Sequence, residues 1–325
     1  MEPQQLHVVF GTGPLGSATA RALLRRGQRV RMVNRSGAAG AAPAGAEVRR
    51  ADAYDAAAVR EACAGATAAY QCAQPAYHQW PELFPRLQAS IIEGVAGAGA
   101  RLVLAENLYM YGEVSGPLGE SLPFNATTRK GAVRARMAEA VAEAHRSGKL
   151  RTTAARGSDF YGPGVLESAL GDRVFAPALA GKSASGTGSL DAPHSFTYID
   201  DFGEALAVLG ERDEALGRAW HVPNAAPLTQ RQIFGMLFDE LGLPPKFGSV
   251  GRTMMRLAGL FIVGARETVE MMYEFERPFV VDSSAYERAF GGQATDLRAG
   301  LRATIAWYRA HAAAPHGTIA GTVSS

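Results

Sequence analysis

The sequence predicts an α/β fold: a doubly wound parallel sheet carrying a smaller C-terminal substrate-binding region. Two observations predict it. Across residues 1–160, short apolar runs alternate with stretches of helical spacing, the repetition whose right-handed crossovers build a parallel sheet. The first of those crossovers opens with Phe10-Gly11-Thr12-Gly13-Pro14-Leu15-Gly16, a G-x-G-x-x-G loop between a strand and a helix. That context makes the sheet one of the Rossmann, dinucleotide-binding kind.

The elements follow in order. Leu6–Phe10 reads as a buried strand, and residues 14–26 as a helix with Leu15, Ala18, Ala22 and Leu23 on one face. Strands are predicted at residues 29–33, 47–50, 67–72, 101–105 and 150–156, and helices at 53–63, 82–97 and 128–145. After Tyr161-Gly162-Pro163-Gly164 the pattern loosens. Residues 180–192, rich in Gly, Ser and Ala, read as an exposed loop or flap. Short helices are expected near residues 201–209, 229–241, 252–261, 267–274 and 297–310. The expected division is a dinucleotide-binding domain over 1–160, a mixed α/β region interleaved with the sheet over 161–311, and a flexible tail over 312–325.

Composition narrows the functional classes. With 47% hydrophobic and 20% charged residues the chain has globular, not disordered, composition. Its 33 Lys+Arg against 31 Asp+Glu leave a net charge of +2, too balanced for a protein whose main task is holding nucleic acid. Two cysteines, Cys63 and Cys72, make neither a disulfide framework nor a four-thiolate zinc site. No His, Cys, Asp or Glu cluster has metal-ligand spacing, so no metal is expected. The first residues have no basic segment followed by a long apolar one, and no run reaches the length of a membrane span. A cytoplasmic protein acting on a small molecule, without nucleic acid or membrane, is the expectation.

The glycine loop has specific physics. Gly11 permits the tight turn, Gly13 lets the backbone approach a pyrophosphate, and Gly16 lets the helix pack on the strand. The free N–H groups of Thr12, Gly13, Leu15 and their neighbours at the helix mouth carry partial positive charge and attract an anion, while Pro14 suits the first turn. At the end of the second strand an NAD-selective site places an acidic residue for the ribose hydroxyl. Here the residues are Val33-Asn34-Arg35-Ser36. Asn34 is neutral, Arg35 suits a charge-assisted bond to a 2′-phosphate, and Ser36 adds a hydroxyl. NADP(H) is therefore favoured over NAD(H).

Further motifs carry a family resemblance over nearly the whole chain. Ala51-Asp52-Ala53-Tyr54-Asp55, Ala73-Gln74-Pro75, Tyr111-Gly112 with Glu120, Phe160-Tyr161-Gly162-Pro163-Gly164, Phe196-Thr197-Tyr198-Ile199-Asp200-Asp201 and Trp307-Tyr308 occur in order. Together with the glycine loop, the chain resembles the extended short-chain dehydrogenase/reductase superfamily, the NAD-dependent epimerase/dehydratase group. The resemblance implies that Asp52 and the Ala53 N–H meet the adenine and that Ala73, Gln74 and Pro75 run beside the nicotinamide ribose. It also implies a homodimer through the helices at 82–97 and 128–145.

One departure outweighs these agreements. The family's catalytic pair is Tyr-x-x-x-Lys, two side chains on one helix face. None exists here: Ala126, His145, Ala178 and Gly242 precede the lysines at that spacing. One register puts Lys130 and Gly131 at Tyr-Gly and Arg134 at the lysine; a register one residue later puts Gly131 and Ala135 in the two places. The first keeps a basic group for the ribose and is preferred. The family's Ser/Thr after strand five is replaced by Asn107. Candidate catalytic groups are thus Asn107, donating an amide N–H, Lys130 as an ammonium donor against a solvated helix face, Arg134 for the ribose, and Tyr109. Tyr77, His78, Tyr161 and His194 are candidates for touching substrate.

The expected function is an NADP(H)-dependent oxidoreductase that interconverts a small organic carbonyl and its alcohol with a non-standard catalytic group. The alternatives are a nucleotide-sugar epimerase or dehydratase, and a non-catalytic dinucleotide-binding sensor.

Overall fold

A computed structural model describes residues 4–311; the expected flexible tail lies outside the described residues. The first half runs β1 (Leu6–Phe10), α1 (Pro14–Arg25), β2 (Arg29–Asn34), β3 (Glu47–Arg50), α2 (Ala56–Ala62), β4 (Ala68–Gln71), α3 (Trp80–Ala98), β5 (Arg101–Glu106), α4 (Arg129–Arg146) and β6 (Thr152–Arg156). There follow β7 (Asp159–Tyr161), α5 (Asp172–Leu179), β8 (Ala184–Thr187), β9 (Pro193–His194), β10 (Phe196–Tyr198), α6 (Ile199–Glu211) and β11 (Ala219–His221). The C-terminal part adds β12 (Leu228–Thr229), α7 (Gln230–Leu241), β13 (Phe247–Val250), α8 (Arg252–Ala258), α9 (Val263–Thr268), α10 (Tyr273–Glu276), α11 (Ser284–Phe290) and α12 (Leu297–His311).

The main sheet has seven strands in the order β11-β6-β5-β4-β1-β2-β3, every pair parallel. Its central strands β1, β4 and β5 are largely apolar and buried because both faces are covered. One face buries Trp80, Phe84, Leu87 and Ile91 of α3 with Val133, Met137 and Val141 of α4. The other buries Ala20, Ala22 and Leu23 of α1 with Phe202 and Leu206 of α6. Helices α1 and α6 cross closely: a Cβ at Gly203 would stand 2.5 Å from the Ala18 backbone. The strand order reverses between β1 and β4, and in such sheets ligands bind outside the carboxyl ends at that switch point.

Three features depart from the sequence pattern. The expected flap at 180–192 contains β8, which pairs in parallel with β13. Small residues read as loop, but here they are small because Gly186 lies against Leu190, Gln230 and Phe234. The Gln230 side chain bonds both Thr187 N–H and Thr187 C=O. Strand β11 was not foreseen; its His221 N–H donates to Glu120. The helix expected at 267–274 breaks into α9, a single turn and α10, and Met271, Met272 and Tyr273 are core residues.

His7 in β1 is fully buried, and its Nδ1 meets the Tyr70 hydroxyl at 2.8 Å. Burial, helped by the nearby Arg101 charge, pulls its pKa from 6.5 to about 4. The unfolded chain therefore takes up a proton as pH falls through about 6.5, and the folded one only near 4. Stability is lost across that window, by on the order of 3 kcal/mol at its acid end. Denaturant melts at a series of pH values are expected to show this loss relative to His7→Phe, which has no titrating group there.

Candidate active site

The glycine loop is built as its spacing requires. Gly11 has φ +105°, and a Cβ there would stand 2.9 Å from the Ala73 N at the end of β4. A Cβ on Gly16 would stand 2.0 Å from the Gly11 carbonyl oxygen. Gly13 is different: a Cβ there meets nothing within 4 Å. Gly13 is also the N-cap of α1, with no side chain bonded to the helix mouth and no acidic residue in the first turn. The loop thus leaves a bare N-terminus beside open space, which fits a dinucleotide pyrophosphate.

The loop forms one end of a cavity of about 420 Å³. Of the residues singled out from sequence, Gly11, Gly13, Pro14, Leu15, Ala73, Gln74, Tyr77, Asn107, Tyr109 and Arg134 line it. Thr12 and Gly16 belong to the loop itself. Pro75 holds Trp80 by accepting its indole N–H at 3.2 Å. Beside the loop, the Gly11 N–H donates to Val33 O at 2.9 Å. There Asn34 is occupied in shaping its own turn: its amide donates to Thr12 Oγ1 and Ala38 O, and its oxygen accepts from Gly37 N–H and Ser36. Arg35 is exposed, and no ion pair engages it among the described residues. Asp52 accepts from the Tyr54 N–H at 3.0 Å and Ala53 is half-buried.

The replaced catalytic pair is not a solvated helix face. Thr128 caps α4, and Lys130 and Arg134, four residues apart on one face, are 0% and 2% exposed. Lys130 is not, however, the inward-pointing donor expected from sequence. Its ammonium lies over the Tyr77 ring at 4.4 Å and bonds Glu267 and, at 2.7 Å, Glu270. It does not line the cavity. In the alternative register, Gly131 is packed so that a Cβ would stand 2.7 Å from the Tyr109 carbonyl oxygen, and no side chain fits there in this chain. Arg134 reaches the cavity wall, 3.5 Å from Glu106 and over the Phe84 ring. Burial pulls its pKa down, against the pull of Glu106.

Asn107 accepts the Tyr109 N–H at 3.4 Å through Oδ1, which leaves the Nδ2 donors for the cavity. Tyr77 donates to Tyr109 through its hydroxyl at 3.3 Å, and burial raises the pKa of both. Tyr111 and Glu120 of the Tyr-Gly…Glu motif are structural. Arg156 donates to the Tyr111 hydroxyl, Tyr111 to His221 Nε2, and His221 Nδ1 to Asp282 O.

Three substrate candidates lie elsewhere. His78 is exposed and outside the lining. Tyr161 is core: its hydroxyl fills the space a Cβ on Gly300 would take. His194 is 2% exposed and stands behind the wall, with Nε2 2.9 Å from Asp159 and Nδ1 3.1 Å from the Glu274 carbonyl oxygen. Sequence reading missed Asp159 and Glu274, which both line the cavity. Asp159 opens β7 three residues after the end of β6, and the rule that sites gather at carboxyl ends of strands points to it. Glu274 lies in a methionine-rich stretch that carries no such signal. The Cys72 thiol at the cavity wall is inert, its pKa raised by burial to about 12. Among the described residues no helix is long and apolar enough to cross a membrane, and no group of three His, Cys, Asp or Glu side chains is placed to hold a metal.

The NAD dependent epimerase/dehydratase family model matches residues 8–222. The dTDP-glucose 4,6-dehydratase of Streptomyces griseus is 27% identical over 197 residues, 60% of this chain and 52% of that one. The chain thus spans about half the length of the curated relative it matches. A nucleoside-diphosphate-sugar epimerase from Pseudomonas aeruginosa is similar in structure with TM-score 0.76 at 18% identity, covering 95% of this chain and 99% of that one. UDP-glucuronic acid 4-epimerase from Bacillus cereus in complex with NAD gives 0.75 at 16% identity, covering 94% and 99%. UDP-N-acetylglucosamine 4-epimerase from Methanobrevibacter ruminantium in complex with UDP-N-acetylmuramic acid gives 0.78 at 17%, covering 95% and 99%. At these identities the structural likeness concerns the fold.

Proposed function

The chain belongs to the NAD-dependent epimerase/dehydratase family, and on that premise we propose that it is a nicotinamide-dinucleotide-dependent enzyme acting on a hydroxyl- or carbonyl-bearing carbon without the family's tyrosine. The observation that carries this reading is the Gly13 corner, open where a pyrophosphate needs space and bare where it needs N–H donors. When bound, the dinucleotide supplies the hydride donor or acceptor. The chain's residues do the rest. Gly11 to Gly16 hold the phosphates, Arg134 offers a guanidinium to the ribose, Asn107 donates to a substrate oxygen, and Trp80, Phe84, Phe160 and Phe279 exclude water.

Two substrate classes follow. The relatives support a nucleotide sugar, and they weigh against the small carbonyl compound expected from sequence. The charge of the cavity supports the small compound. Its wall carries Glu106, Asp159 and Glu167 against one guanidinium, Arg134, which already faces Glu106. In the C-terminal part Arg231, Arg252, Arg298 and Arg302 are paired with Asp191, Glu276, Asp239 and Glu240. A second diphosphate would compete with these carboxylates for each of the four.

The experiment is calorimetry of the purified chain with NADPH and NADH, followed by a panel of aromatic and aliphatic carbonyls and of dTDP- and UDP-sugars with product analysis. Cofactor oxidation by carbonyls supports the small compound; a converted sugar nucleotide without net redox supports the nucleotide sugar. Binding with no turnover makes the chain a sensor, and no association of either dinucleotide at millimolar concentration overturns the proposal.

Cofactor choice is tested at Arg35. The NAD-bound relatives support NAD, while the exposed guanidinium at the end of β2, with no acidic residue there, supports NADP. Arg35→Ala is expected to weaken NADPH about 10- to 100-fold, the worth of a charge-assisted hydrogen bond, and to change NADH less than about threefold. Equal effects on both dinucleotides remove the phosphate role.

A further inference from the structure

The family's proton carrier is gone from this cavity, and none of the residues in its place is suited to succeed it. Lys130 is sealed beneath Glu267 and Glu270. The Asn107 amide donates a hydrogen bond but does not part with its proton. Tyr77 and Tyr109 are phenols whose pKa burial raises, and the ammonium over Tyr77 is held by its carboxylates.

Glu274 is built differently. It is 1% exposed, lines the cavity from α10, and its Oε1 has no hydrogen-bond partner. Its main chain is pinned by His194 Nδ1, whose other nitrogen is engaged by Asp159. Asp159 lines the same cavity from β7. We propose that Glu274 is the proton donor of this site, with Asp159 as the neighbour that keeps the proton on it; this rests on the dinucleotide-dependent reading above.

The groups facing Glu274 support the assignment. They are Asp159, His194, Tyr77, Tyr109 and Tyr273. His194 Nε2 stands 2.9 Å from Asp159, and the buried Arg173 lies towards Asp159 as well. Burial, reinforced by the Asp159 charge, pushes Glu274 well above the usual carboxylate range. A lone buried carboxylate is costly, so the acid form persists at neutral pH with an oxygen left for a ligand. In the reductive direction the substrate C=O π bond breaks. Its carbon gains a hydride, whose two electrons come from the reduced dinucleotide, and its oxygen gains the Glu274 proton. An alcohol, an oxidised dinucleotide and a Glu274 carboxylate result, and the carboxylate recovers its proton from water.

The test uses the full chain and Glu274→Gln, which keeps size and polarity but cannot ionise. Thermal unfolding and dinucleotide affinity, both expected within about twofold of wild type, certify the fold. Difference infrared spectra at neutral pH are expected to show a carboxylic-acid C=O band in wild type that vanishes in Glu274→Gln. In Asp159→Asn the midpoint of that band is expected to fall, because the like charge is removed. Turnover of the carbonyl identified above is expected to drop about 100-fold in Glu274→Gln, with loss of the alkaline limb of the pH profile. An ionised Glu274 at neutral pH, or turnover within about twofold of wild type, overturns the assignment. Wild-type protein that binds no dinucleotide overturns the functional reading instead, and the infrared band still decides the state of Glu274.

Discussion

Gly16→Ala is expected to abolish dinucleotide binding and to cost stability, whereas Gly13→Ala costs binding alone. The two glycines sit in one loop but face different surroundings. A methyl on Gly16 would stand 2.0 Å from the Gly11 carbonyl oxygen and 3.0 Å from its carbon. Both are backbone atoms, so α1 must slide along β1, and overpacking of that kind costs about 1–3 kcal/mol. The sliding also moves the helix mouth, and an affinity loss above about 100-fold is expected. A methyl on Gly13 meets no atom within 4 Å, and φ −75° suits alanine. Its unfolding midpoint stays at the wild-type value, while the methyl occupies the space of the pyrophosphate and raises Kd about 10- to 100-fold. Calorimetry and thermal melts on both variants separate the effects. Wild-type affinity in Gly13→Ala would place the phosphates elsewhere.

The second large effect is expected at Glu106. This carboxylate at the end of β5 is 3% exposed, bonds Arg156 at 2.9 Å and lies 3.5 Å from Arg134. Glu106→Ala leaves both guanidiniums without their shared counter-charge. Breaking a buried pair from one side costs about 3–5 kcal/mol, or roughly 10 °C in a chain of this size. Asp191→Ala, which breaks an exposed pair with Arg231, costs less than about 1 kcal/mol. Equal melts for the two variants would remove the buried triad from the core's stability.

What was legible in the sequence was what is local. The glycine loop is decided by contacts among Gly11, Gly16 and the end of β4, and its spacing announces them. The central strands of the sheet announce themselves through apolar runs, as at Val8–Phe10 and Leu102–Ala105. Position 130 is a different case. Whether a lysine there faces the cavity, solvent or a partner depends on Glu267, 137 residues away. Periodicity carries no such information, so the expected free ammonium became a buried ion pair. Asp159 and Glu274 come together from β7 and α10 through His194, a juxtaposition that exists only after folding. Tyr161 failed for the converse reason: a motif residue can serve packing, and Gly300 opens the slot it fills. Likewise β11 is too short to signal itself and is held in place by Glu120.

The ion pairs at Lys130 also bear on how such a chain could change. They fasten the start of α4 to the segment bearing Glu267 and Glu270. Replacing Lys130 alone by tyrosine would take away the buried ammonium and leave Glu267 and Glu270 to Arg129, whose side chain is exposed. A tyrosine there therefore loosens the tie between α4 and that segment unless Glu267 and Glu270 change with it.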